Sequence, residues 1–136
     1  MTAYGRLFVR AAASFGMALF ASHAWADDLS DAKAAYAQHQ FAQAAKLFRD
    51  AAAKGNPDAM SFLGVMYHDG EGVPQDAVRS CMWFYVALAV YRPLSDDFKQ
   101  TSEFLDVLRK ELGQSGAANA HRMAESCIAR HYESCD

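Results

Sequence analysis

Ser30-Asp31-Ala32-Lys33 places a hydroxyl three residues ahead of an amine. This S-x-x-K spacing is the acyl-enzyme motif of penicillin-binding proteins and serine β-lactamases, but the companion S-D-N and K-T-G segments are absent. Ser30 reads more simply as a helix cap. His68-Asp69-x-Glu71 gathers an imidazole and two carboxylates in one loop, the donor types of a weak cation site. A solvated loop end accounts for them as well. The histidines beyond the first 26 residues are His39, His68, His121 and His131, and they form no H-E-x-x-H pair and no C-x-x-C…H set. No phosphate-cradling glycine motif stands in a strand context. Gly113-Gln114-Ser115-Gly116 is not G-x-S-x-G and reads as a loop, and Asp96-Asp97 reads as a helix start rather than an acid/base couple. The expectation is therefore a chain without catalytic residues, metal or cofactor.

The elements that would position these residues begin with an address. Residues 1–26 carry Arg6 and Arg10, then an uncharged apolar run from Ala11 to Phe20, then Ala24-Trp25-Ala26 with a small residue on either side of the tryptophan. This is the three-part pattern of a secretory signal peptide cleaved after Ala26. The apolar run is about half of the ~20 residues needed to span a bilayer, so a membrane span is not expected in the remainder. Cleavage leaves residues 27–136, with 11 basic against 16 acidic side chains and a net charge of -5. Export predicts a periplasmic or secreted location and an oxidising compartment, where disulfides persist.

The full chain of 136 residues is one domain's worth, 52% hydrophobic and 21% charged, which excludes global disorder. A net charge of -3 gives no basic footprint, so no nucleic-acid partner is expected. Alanine abounds, no segment alternates in the manner of a strand, and Pro57, Pro74 and Pro93 fall between apolar-periodic stretches. The pattern predicts an all-α fold of six helices: Leu29 to Gln38, Phe41 to Lys54, Pro57 to His68, Gln75 to Tyr91, Ser95 to Leu112 and Gly116 to His131. Asp27, Asp28 or Ser30 would cap the first helix and Ser95 the fifth. Loops of two to six residues require antiparallel neighbours, hence three hairpins.

Self-comparison reveals a repeat. Ala44, Leu47, Phe48, Ala51 and Ala53 recur 36 residues later as Ser80, Trp83, Phe84, Ala87 and Ala89, large on large and small on small, and Phe62 returns as Phe98. Met123 and Cys127 match Trp83 and Ala87 more weakly, at an offset of 40. A period of this size marks a short solenoid of helical hairpins. The repeat boundaries fall at about 28–56, 57–92 and 93–132.

The segment from Ala59 to Ala89 resembles a Sel-one-like repeat (SLR), a relative of the tetratricopeptide repeat. The matching positions are Ala59, Leu63-Gly64, Met66-Tyr67, Gly70, Gly72-Val73, Asp76, Ser80, Trp83-Phe84, Ala87 and Ala89. Physical reasons for these residues are readable. Gly64 inside a helix costs about 1 kcal/mol against alanine, which is tolerable where another helix packs on that backbone. Gly70 and Gly72 can take positive φ in the inter-helix loop. Tyr67 and Trp83 would fill space between hairpins. Ser80 departs from the family's alanine, the glycine after the second helix is missing, and the last hairpin resembles a degenerate cap.

Cys127 and Cys135 would lie ~12 Å apart on one continuous helix, too far for a bridge, but the pair can close if the sixth helix ends near His131. Cysteine-rich members of the family carry disulfides with this spacing, so the resemblance implies Cys127–Cys135 and a buried free Cys81. Cys81 with Cys135 is the rival pairing. The resemblance also implies a groove along the first helix of each pair. Met60, Ser61, Val65, His68 and Gln100 are its loop and groove candidates, being positions not obviously used by the repeat's own packing. The function implied is a periplasmic module that binds one protein or peptide, without catalysis. The alternatives are β-lactam binding or hydrolysis, as in some cysteine-rich relatives, and a purely structural role in the envelope. Trp83, Tyr85 and Tyr91 would be a dimer surface if exposed.

Overall fold

The computed structural model describes the backbone of residues 21–136 and the side chains from Asp28 onward. Residues 1–20, and with them most of the proposed signal peptide, lie outside the described residues. The described residues are all-helical: α1 (Ala21–Ala37), α2 (Phe41–Ala53), α3 (Pro57–Asp69), α4 (Ala77–Val90) and α5 (Asp96–Ala129), with no strand among them. No described helix is long and apolar enough to cross a membrane.

Local chemistry sets most of the boundaries. Asn56 caps α3, its side chain accepting from the Ala59 amide at 3.1 Å, with Pro57 in the first turn. Asp76 caps α4 by accepting from the Arg79 amide at 2.9 Å, and Ser95 caps α5 by accepting from Phe98 at 3.2 Å. Gly70, in the left-handed region, closes α3, and Gly72 shares that conformation, as expected for both.

Two expectations need correction. The first helix does not start near Leu29: α1 already runs from the first described residue, Ala21, so Ser30 lies exposed inside it and caps nothing. Asp28 is not a cap either; its carboxylate pairs with Lys54 at the end of α2. The loop expected at Gly113 to Gly116 shrinks to one residue. Gly113 takes φ 68°, ψ 177°, breaking α5 into segments 96–112 and 114–129, while its neighbours stay helical. A side chain would disfavour that φ, so glycine supplies the turn and no further loop residues are needed.

The helices pack on their sequence neighbours, and both segments of α5 lean on α4: Phe84 meets Phe104 at 5.1 Å and Tyr85 meets His121 at 4.9 Å between ring centroids. The core alternates bulky and tiny side chains, with Phe48, Met60, Leu63, Met66 and Met82 fully buried among Ala44, Ala45, Ala52, Ala59 and Ala87. Phe48 stacks on Phe62 at 4.6 Å and 7°, and Tyr36 sets its edge to both rings. Such aromatic pairs contribute about 0.5–1.5 kcal/mol each beyond their buried area. Gly64 shows why one position must stay bare. A Cβ there would lie 2.8 Å from the Phe84 ring, so α3 and α4 approach each other through the missing side chain. Ser80, the departure from alanine, donates its hydroxyl to the Gly64 carbonyl at 2.7 Å across the same contact.

Candidate functional site

Side chains bring α1, α3 and the first segment of α5 together as one face. Lys33 on α1 reaches Asp58 on α3 at 3.6 Å, and Ser61 on α3 meets Thr101 on α5 at 3.5 Å. Between them opens a cleft of about 440 Å³, within the usual range for binding pockets. Its apolar lining is Phe62, Val65, Phe84 and Phe104; its polar lining is Lys33, Asp58, Ser61, Tyr91, Asp97, Gln100 and Thr101.

The polar groups form a chain along one wall. Tyr91 donates its hydroxyl to Asp58 at 2.9 Å and lies 3.3 Å from the Ser61 hydroxyl, which in turn faces Thr101. Burial raises the Tyr91 pKa, and its bond to the Asp58 carboxylate raises it further, so the phenol is a neutral donor throughout the physiological range. The Lys33 ammonium stands 5.6 Å from the centre of the Phe62 ring while pairing with Asp58. Asp97, in the first turn of α5, makes no ion pair or side-chain hydrogen bond among the described residues. Phe104 keeps 37% of its surface exposed despite contacts to Phe84 and His68.

Of the five groove positions expected from sequence, Ser61, Val65 and Gln100 line this cleft. Met60 does not: it is fully buried, one residue round the helix from Ser61 and facing the core. His68 sits at the rim, with its ring against Phe104 at 5.4 Å and Nδ1 at 2.7 Å from Asp69. Sequence reasoning passed over Phe62, Phe84, Phe104, Lys33, Asp58, Tyr91, Asp97 and Thr101 as groove residues. Phe62 and Phe104 could have been found by helical spacing, since Phe62 lies one turn before Val65 and Phe104 one turn beyond Gln100. Tyr91 and Thr101 had no such signal, because their place depends on how α3 and α5 meet.

The other expected residues fall into place as packing and turns. Ala59, Leu63 and Ala87 are fully buried, and Tyr67 is buried with its hydroxyl accepting from Arg49 at 3.2 Å. Trp83 is also buried, which removes it from any dimer surface; Tyr85 and Tyr91 are half-buried. Cys127 and Cys135 are joined in a disulfide, Cys81 is free and buried, and the rival pairing is excluded. Burial pushes the Cys81 thiol up to about 11, leaving it protonated and unreactive at neutral pH. In the loop after α3, Glu71 accepts from the Tyr36 hydroxyl at 2.6 Å and is drawn away from His68 and Asp69, so the three do not converge on one point. That contact, after burial, pushes Tyr36 up to about 12.

No protein-family model, no curated protein and no solved structure matches this chain. The functional reading rests on the cleft.

The cleft's lining combines apolar contact area with hydrogen-bonding groups. Four aromatic or aliphatic side chains offer contact area, and hydroxyls and an amide offer hydrogen bonds to a backbone or a polar side chain. Ser30 is outside it, and the lysine of its S-x-x-K spacing points to Asp58.

Proposed function

We propose that this protein is a periplasmic or secreted SLR-type module, a three-hairpin solenoid that binds a protein or peptide segment in the α1–α3–α5 cleft and performs no chemistry. The observation that carries the reading is the cleft itself, set on the first helix of each pair with Phe84 and Tyr91 added from α4 and its C-cap. Further support comes from the repeat: Ala51 and Ala87, equivalent in the two copies, are both buried, as are Phe48 and Phe84. The signal-peptide pattern of residues 1–26 supports export, and the disulfide is in keeping with an oxidising compartment.

Selection from a displayed random-peptide library, followed by amide-shift mapping on labelled protein, tests this. The expected result is a set of peptides that perturb residues 58–65 and 97–104, with affinity falling about tenfold in Phe104→Ala, the loss of one buried aromatic contact. Peptides that map to another surface, or a library that yields none, overturn it. Nitrocefin turnover tests the enzymatic alternative: no turnover is expected, and turnover abolished by Ser30→Ala would establish catalysis instead.

A further inference from the structure

The cleft is not electrically balanced. Two carboxylates, Asp58 and Asp97, face one amine, Lys33. Lys33 and the Tyr91 hydroxyl both engage Asp58, so that charge is compensated within the protein. Asp97 is exposed, lines the cleft, and pairs with no cation among the described residues. It stands in the first turn of α5, and its neighbour Asp96 takes the nearby Lys99 at 3.8 Å. Tyr91 lines the cleft with Asp97, and Phe104, two turns further along α5 and ~10 Å away by helix rise, is still partly open to solvent. Ring faces attract cations as well as apolar groups.

We propose that the cleft selects a peptide segment in which a lysine or arginine adjoins a bulky apolar side chain. The apolar group lies between Val65, Phe84 and Phe104, and the cation lies at Asp97. This rests on the peptide-binding reading above and adds the sign of the charge. The opposite choice, an acidic peptide, would have to compete with Asp58 for Lys33 while approaching Asp97.

Three blocked pentapeptides, Gly-Leu-Arg-Phe-Gly, Gly-Leu-Gln-Phe-Gly and Gly-Leu-Glu-Phe-Gly, distinguish the possibilities when titrated into the full chain and followed by amide shifts at residues 61–65 and 97–104. The arginine peptide is expected to bind about fivefold more tightly than the glutamine peptide, the size of an exposed ion pair with a cation–π contribution. The glutamate peptide should be the weakest. The preference should shrink as salt is raised. Asp97→Asn should abolish it, whereas Glu103→Gln, at an exposed carboxylate of α5 outside the cleft lining, should leave it intact; circular dichroism confirms that both substitutions leave the fold intact. Equal binding of all three peptides, or tighter binding of the glutamate peptide, overturns the charge preference and leaves the groove reading standing. Silence at these amides for all three overturns both.

Discussion

The two edges of the α3–α4 pair are finished differently. On the α3 side, the seam with α1 and α5 stays open, with Phe62, Val65 and Phe104 lining a cleft. On the α4 side, the seam with α2 is closed by the chain's last residues. The Asp136 carboxylate accepts from the buried Trp83 indole at 3.2 Å and pairs with Arg49, which also donates to Tyr67. Tyr132 covers Gly55, and the disulfide ties residue 135 back to the end of α5. His131, Tyr132 and Ser134 all take positive φ, a conformation that costs non-glycine residues about 1 kcal/mol or more each. A tail that follows such a path must be held by contacts elsewhere, and those contacts satisfy a tryptophan, an arginine and a tyrosine at once. The lesson is that bulky residues at a helical seam do not by themselves mark a binding site. Trp83 and Tyr67 are as aromatic as the cleft, but the chain covers them itself.

The strongest way to break this contrast is to release the tail. Cys135→Ser removes a cross-link closing a loop of eight residues, and chain entropy sets the loss at about 2–3 kcal/mol, read by denaturant unfolding. Peptide affinity at the cleft should stay unchanged, because the tail's contacts to Arg49, Gly55, Trp83 and Cys127 lie outside the cleft lining. Gly64→Ala probes the other side. The new Cβ would press on Phe84, a cleft residue, and overpacking of about 1–3 kcal/mol exceeds the gain in helix propensity. A net loss of about 1–2 kcal/mol and a shifted Phe84 resonance are expected. Asp136→Ala keeps the disulfide but leaves the indole and guanidinium without their acceptor, so about 1 kcal/mol should be lost together with a change in tryptophan emission.

Alkali should affect both sides. Tyr36, Tyr67 and Tyr91 all have raised folded-state pKa values, with burial the largest cause. Above about pH 10 the unfolded chain releases phenolic protons that the folded chain retains, so folding stability should fall as pH rises toward about 12, the folded value of Tyr36. Tyr67→Phe and Tyr91→Phe should each flatten part of that slope, one on the closed edge and one in the cleft. Unfolding midpoints measured from pH 8 to 12 check the sign.

Much of the architecture was legible before any coordinates. Pro57 and Ser95 announce their helices by local chemistry that sequence displays directly, a first-turn proline and a side chain that caps an amide within one turn. Asp76, the cap of α4, reads from sequence as part of a helix beginning at Gln75. The start of α1 was misplaced because Asp27, Asp28 and Ser30 are good caps by type, whereas Asp28 is drawn to Lys54 in the next helix. The turn at Gly113 was taken for a longer loop because a single left-handed glycine and a run of small polar residues look alike in one dimension. Met60 reads as a groove residue beside Ser61, but the cleft lies on the Ser61–Phe62–Val65 side of α3, and Met60, about 100° round from Ser61 the other way, is buried in the core.

Sequence alone determined that the chain is helical, where most helices begin, and which positions hold large or small side chains. It did so because hydrophobic period, caps and glycine placement act over a few residues. Tertiary structure decided which of two aromatic seams stays open, that Tyr91 and Thr101 face Ser61, and which cysteine Cys135 meets. Those outcomes depend on contacts between residues up to 87 apart, such as Arg49 with Asp136, and no local rule ranks one such meeting over another.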